Sequence, residues 1–215
     1  MKLYSYFRSS AAYRVRIALN LKGIAYETVP VHLMKDGGQQ FSESYRQLNP
    51  TALVPTLVDG DVTIGQSMAI LEYLEETHPQ PALLPADAKA RARVRAIAQL
   101  IACDIHPLDN LRVLKYLKHE MKVSEEAKST WYKHWVEVGL AAVESMLASH
   151  PDTGRYCHGD QPTFADLCLV PQVANARRFD CNLEAMPTIV RIDAACTELV
   201  AFQQAAPANQ PDSEG

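Results

Sequence analysis

A small α/β domain followed by a larger all-helical one is the fold class that the sequence predicts, and three observations carry it. Strand and helix patterns alternate through the first eighty residues, the stretch "HPQPALLPADAK" then interrupts them with three prolines in seven residues, and every later pattern is helical. The expected boundaries are an α/β domain over 1–79, a linker over 80–87 and a helical domain over 88–215.

Each element has a local reason. "KLYSYF" reads as a short strand, and Ser9 to Lys22 as a helix with Val15, Ala18, Leu19 and Leu21 apolar and Gly23 as its stop. "YETVPVHL" is extended, and Pro30 inside it argues for an edge strand. After a polar segment with Gly37-Gly38, Val54–Val58 and Val62–Ile64 flank Asp59-Gly60, a hairpin signal. The helix "SMAILEYLEETH" closes a β-α-β-α-β-β-α order. Beyond the linker, "KARARVRAIAQLIACDIHPLDNLRVLKYLKHEM" is a long amphipathic helix that Pro107 should kink or break. "EEAKSTWYKHWVEVGLAAVESMLASH", "PTFADLCLVPQVANARRF" and "PTIVRIDAACTELVAFQQAAP" supply three more helices, and the polar tail "ANQPDSEG" is expected to fray.

Composition narrows the function classes. A formal net charge of −4 leaves no electrostatic footprint for nucleic acid. There is no apolar run of bilayer length and no signal-peptide core at the N-terminus, so a cytoplasmic protein is expected. Five scattered cysteines without a CxxC pair support neither a disulfide framework nor a zinc site, and no metal is expected.

Three motifs admit both a structural and a chemical reading, and a fourth is structural alone. Ser9 and Ser10 open a helix, where one serine suffices as a cap; a second hydroxyl is left to donate to a thiolate held at the helix start. Lowering a thiol pKa from ~8.5 to ~6.5 needs about 2.7 kcal/mol, within reach of one charge-assisted hydrogen bond plus the helix dipole. In "LVPTL", a trans Pro55 is the ordinary expectation; a cis bond would bare the backbone of Val54 for a peptide-like ligand. Gln66-Ser67 begins another helix, with Ser67 either its cap or, with the Gln66 amide, part of a carboxylate site. Thr163-Phe164-Ala165-Asp166 is a capping-box pattern with a purely structural role.

Together, "SSAAYRVRIALNLKG", "KDGGQQFSESYRQLNP", "VPTL", "GQSMAILEYLEE" and "PTFADLCLVPQVANARRF" resemble the zeta class of the glutathione transferases, from residue 2 to about residue 206. The resemblance implies a thioredoxin-like N-terminal domain, an all-α C-terminal domain, glutathione as cofactor and a homodimer. It also implies cis–trans isomerisation of a maleyl keto acid in aromatic catabolism, by reversible thiolate addition. The family pattern carries a cysteine where this chain has Ala11, which shifts the chemistry to Ser9 and Ser10. By resemblance, Ser9 activates the sulfur and Ser10 supports it. Val54 and Pro55 present the backbone that pairs with the cysteinyl unit, and Gln66 and Ser67 take the γ-glutamyl carboxylate. Gln40, with His32 or Lys35, lies towards the glycyl end. Asp104, beside His106, reaches the neighbouring subunit's γ-glutamyl amine; both also read as a polar kink before Pro107. Arg8, Arg112 and Arg178 (with Arg177 beside it) are the candidate clamps for the substrate carboxylates. The alternatives are isomerisation of maleylpyruvate, transferase or dehalogenase chemistry on small α-halo acids, and a non-catalytic glutathione-binding module.

Overall fold

The computed structural model describes residues 1–214, which divide into two compact units. In the first, β1 (Lys2–Ser5) feeds α1 (Ser10–Leu21), and the chain returns as β2 (Glu27–Pro30), parallel to β1. A short helix α2 (Glu43–Leu48) then leads to the hairpin of β3 (Thr56–Asp59) and β4 (Val62–Gly65), followed by α3 (Ser67–Thr77). Among the described residues the sheet has four strands in the order β2-β1-β3-β4, with β3 antiparallel to both neighbours. Pro30 sits on the edge strand opposite Ser5, where a missing N–H costs no ladder bond. Gly60 turns the hairpin at φ +62° and Gly23 ends α1 at φ +65°, both left-handed positions that glycine occupies without a Cβ clash.

The core of this unit is Leu3 and Leu57 from the sheet with Val15, Ile17, Leu19, Ile70, Leu71 and Leu74 from α1 and α3. Lys22 at the end of α1 is buried, yet its ammonium donates to Glu75 Oε2 (2.8 Å) and to the carbonyls of His78 (2.7 Å) and Pro81 (2.9 Å). All three ammonium protons are matched by acceptors, as burial of a charge requires.

The second unit spans Leu84–Thr197. It holds α4 (Ala88–Gln99), a π-helical turn (Leu100–Ile105), α5 (His106–Asp109), α6 (Leu111–His119), α7 (Glu125–Ala148), α8 (Phe164–Arg178) and α9 (Pro187–Thr197). The break expected at Pro107 takes the form of that widened turn directly before it, after which Asn110 caps α6 by accepting from the Arg112 N–H. Gly139 of α7 lets the turn approach closely: a Cβ built there would lie 2.4 Å from Ile105 Cγ1. Since Ile105 is itself buried, Gly139→Ala is expected to cost about 1–3 kcal/mol by overpacking, read as a lower urea midpoint at unchanged slope.

Two expectations are corrected here. The helical domain does not run contiguously to residue 215: "PTIVRIDAACTELVAFQQAAP" breaks after Thr197, and the chain from Glu198, including α10 (Val200–Ala205), belongs to the first unit. There α10 packs on α1, with Arg16 Nε donating to the Ala205 carbonyl (2.9 Å) and Asn20 to that of Ala201 (3.0 Å). Nor does the tail fray: Asp212 Oδ2 accepts the Phe7 N–H (3.0 Å), and Glu214 pairs with Lys35 (2.7 Å) and His32 (3.2 Å). Among the described residues no helix is long and apolar enough to cross a membrane.

Candidate active site

In the first unit the sequence-derived residues gather around the starts of α1 and α3. Ser9 is the N-cap of α1, its Oγ accepting the Ala12 N–H at 3.2 Å. A hydroxyl has two acceptor lone pairs and its own proton, so capping leaves Ser9 free to donate outward, and the structural reading does not exclude the chemical one. Ser10, the first residue of the helix, is buried. Arg8 is exposed at the same corner, its guanidinium 4.8 Å from the centroid of the Phe7 ring.

Val54 packs with Tyr6, Phe7, Val31 and Tyr45, which places it beside the chain that enters α1. The Val54–Pro55 peptide is cis, against the ordinary expectation for the dipeptide. Among the described residues the Val54 amide has no backbone partner, whereas the Leu53 carbonyl is held by Tyr45 Oη (2.6 Å) and Asn49 Nδ2 (3.0 Å).

At α3 the expected cap is corrected. Gln66, not Ser67, holds the cap position, at φ +66° and ψ 115° with no side-chain capping bond. A left-handed φ is costly for a residue with a Cβ, about 1–3 kcal/mol, and such strain concentrates at functional sites. Ser67 is the first helical residue, and its Oγ accepts from Arg14 Nη1 at 3.2 Å. This arginine, buried on α1, is a residue that sequence reasoning missed. Its signal was a charge at the i+4 position from Ser10 on a helix whose neighbouring residues are buried.

Gln40 is buried, its amide pressed over Gly38, where a Cβ would lie 2.7 Å from Nε2. His32 Nδ1 accepts the N–H groups of Met34 (3.1 Å) and Lys35 (2.9 Å), so the ring proton sits on Nε2, which faces Glu214. Hydrogen bonding and charge from Lys35, with His32 adding to them, hold the Glu214 carboxyl below its ordinary range. His32 and Lys35 are therefore both engaged by the tail.

The second unit holds the other candidates. Asp104 is exposed on the π-helical turn. His106 follows, Nδ1 3.6 Å from Asp109 Oδ1 and Nε2 3.3 Å from Asn110 Nδ2. Asp109 is buried and accepts from Gln172 Nε2 at 2.6 Å, a link from α5 to α8 absent from the sequence reading. Tyr132 of α7 stacks on Phe179 at 3.9 Å; burial and then Asp109 push its phenol pKa up, and Arg178 opposes them. His106, Asp109, Tyr132, Gln172 and Arg178 thus belong to one neighbourhood of this unit. Arg112 is exposed at the start of α6. The adjacent arginines of α8 separate clearly: Arg177 donates to buried Asp193 at 2.5 Å, while Arg178 lies against the Phe179 ring at 4.9 Å. An ion-paired Arg177 leaves Arg178 as the guanidinium able to take a ligand.

The chain is similar in sequence and in fold to known proteins. Residues 3–82 match the family model for the glutathione S-transferase N-terminal domain. The chain is 54% identical over 211 residues to maleylacetoacetate isomerase of Rattus norvegicus, covering 98% of this chain and 94% of the relative. It is similar to the holo structure of maleyl pyruvate isomerase, a bacterial glutathione-S-transferase in zeta class, at 51% identity and TM-score 0.96, with all of both chains covered. Maleylacetoacetate isomerase from Methylobacterium extorquens AM1, solved with bound malonate and GSH, is 42% identical at TM-score 0.96, again with all of both chains covered.

Proposed function

Because the chain belongs to the zeta-class glutathione transferase family, we propose that it is a glutathione-dependent isomerase that converts maleylacetoacetate to fumarylacetoacetate. The observation that carries the reading is the meeting of α1 and α3 through Arg14 and Ser67, which puts a hydroxyl-lined helix start beside an anion-seeking one. The residues present fit glutathione: the unneutralised guanidinium behind Ser67 calls for an anion, and the unpaired Val54 amide calls for a peptide-like backbone.

In this reading Gln66 and Ser67 hold the γ-glutamyl carboxylate, Val54 before Pro55 pairs with the cysteinyl backbone, and Gln40 takes the glycyl end. When bound, glutathione supplies a thiolate that adds to the cis double bond and leaves after rotation. Ser9 donates a hydrogen bond from its hydroxyl towards the sulfur position, keeping its own proton, which favours the ionised thiol; Ser10 supports the same helix start. Arg8 in the first unit, and Arg178 and Arg112 in the second, are the guanidinium candidates for the carboxylates of the acid. Asp104, an exposed residue of the π-helical turn, serves a neighbouring copy in a cytoplasmic homodimer, with His106 beside it. Maleylpyruvate is the second candidate substrate, favoured by the 51% identity to maleyl pyruvate isomerase over the full chain.

The test is the ultraviolet loss of freshly prepared maleylacetoacetate, and in parallel maleylpyruvate, with and without glutathione. Conversion only with glutathione is expected, and the ratio of kcat/KM names the preferred acid. No turnover of either acid despite glutathione binding would overturn the reaction and turn attention to small α-halo acids. Arg8→Ala and Arg178→Ala are each expected to raise KM for the acid about tenfold or more, from the loss of roughly 1.5–3 kcal/mol of charged hydrogen bonding. Arg177→Ala, which loses only its pairing with Asp193, is expected to leave that KM within about twofold.

A further inference from the structure

Two buried arginines stand two residues apart on α1, and their surroundings differ in kind. Arg16, 0% exposed, meets four oxygens: Ser5 Oγ at 3.0 Å and the carbonyls of Ala205 (2.9 Å), Phe7 (3.1 Å) and Tyr6 (3.4 Å). Arg14, 1% exposed, makes a single hydrogen bond, Nη1 to Ser67 Oγ, while its Nε and Nη2 have no partner among the described residues. Among those residues no carboxylate stands within ion-pair distance of it.

A guanidinium keeps its charge at physiological pH, and buried charges in native proteins are paired. This unit therefore carries a positive charge with its counter-charge missing. The imbalance is directional, because the one bond Arg14 makes lands on the first residue of α3, where the unbonded N–H groups of the helix start add positive potential of their own. With Oγ accepting from Arg14, the Ser67 hydroxyl proton is turned away from the arginine and presented as a donor. Gln66, strained and uncapped, stands at the same corner.

We infer that Arg14 is a positioning residue for an α-amino-acid carboxylate docked at the start of α3, acting through Ser67 and through its own unneutralised charge. The inference rests on the reading above, in which that carboxylate is the one on the γ-glutamyl unit of glutathione. Arg14 does not touch the reacting atoms; it sets the affinity and orientation of the group that brings the thiol.

The experiment is calorimetric binding of glutathione and of γ-aminobutyryl-cysteinylglycine, which lacks only that carboxylate, to wild-type protein, Arg14→Gln and Arg14→Lys. Wild type should bind glutathione at least thirtyfold more tightly than the analogue. Arg14→Gln should weaken glutathione ten- to thirtyfold and the analogue less than threefold, with KM for glutathione rising more than kcat falls. Arg14→Lys should recover much of the loss. Equal weakening of both ligands, or of neither, would overturn the inference, since a packing role does not distinguish them. If Arg14→Gln fails to fold, the comparison passes to Arg14→Lys, Ser67→Ala and their double variant. A carboxylate-selective loss in Ser67→Ala, not deepened in the double variant, supports action through Ser67; equal losses on both ligands or additive losses overturn it. A wild type indifferent to the carboxylate removes the Gln66–Ser67 reading and this inference with it. One that discriminates, with Arg14→Gln selectively impaired, supports Arg14 even if neither acid is isomerised, in which case only the reaction assignment fails.

Discussion

Ser9→Gly is expected to lower kcat/KM about ten- to a hundredfold while leaving the fold close to wild-type stability. The two effects separate because Ser9 does two things. As the α1 cap it accepts the Ala12 N–H, and glycine replaces a serine cap at a cost of only a few tenths of a kcal/mol. As a donor it contributes a charge-assisted hydrogen bond of roughly 1.5–3 kcal/mol to a thiolate, which glycine cannot supply. Ser9→Ala should show the same loss of rate with about 1 kcal/mol of stability lost as well, and Ser9→Thr should keep most of both. The sign in pH follows from which form the hydroxyl favours. Removing a donor to the thiolate raises the pKa of bound glutathione, so activity is lost near neutrality and partly returns as pH rises. Rates against pH, with the ultraviolet absorbance of the bound thiolate, read this directly. Full activity in Ser9→Gly would pass the role to Ser10 or to the backbone.

Asp166→Ala is expected to abolish folding of the helical unit, with a loss above about 4 kcal/mol. The carboxylate is 0% exposed and joins three segments. Its Oδ2 accepts the Thr163 N–H (2.8 Å) and hydroxyl (2.9 Å), its Oδ1 accepts the Cys157 N–H (2.8 Å), and the Cys196 thiol lies 3.9 Å away. Alanine leaves those donors buried without acceptors, at roughly 1–3 kcal/mol each. Asp166→Asn keeps the volume but turns one acceptor into a donor facing other donors, so it should fall between. Thermal unfolding followed by circular dichroism is the measurement, and a fall in Tm of only a few degrees for Asp166→Ala would contradict the argument. The capping box was legible in "PTFADL"; its second duty, on the distant Cys157 and Cys196, was not.

What could be read from the sequence was what neighbouring residues decide among themselves. Asp59-Gly60 makes its hairpin, Gly23 stops its helix, Pro30 stays at the sheet edge, and Pro107 ends a helical run, each for a reason carried within a few residues. The residues proposed at the starts of α1 and α3 were found for the same reason, because helix starts have a local chemistry. What escaped depends on partners far along the chain. No local pattern says that Arg14 meets Ser67 and little else. The pairing of Asp109 with Gln172 joins two helices sixty-three positions apart. A polar tail looks unanchored until Phe7, His32 and Lys35 are seen to meet it. Ser67 reads as a cap in the sequence because the left-handed turn that gives that position to Gln66 has no signature in a glutamine.

The return of the chain from Glu198 onto α1 bears on how the protein is made. At about 5–20 residues per second on a ribosome, the whole helical unit must be synthesised, over roughly ten seconds, before the last pieces of the first unit exist. Until then Arg16 lacks its Ala205 acceptor, Tyr13 lacks the Phe202 carbonyl, and the outer face of α1 stands bare to whatever passes. The earliest part of the chain to emerge is thus among the last to be finished. A nascent chain halted before α10 would present a tacky, half-covered surface, the kind of intermediate that chaperones hold.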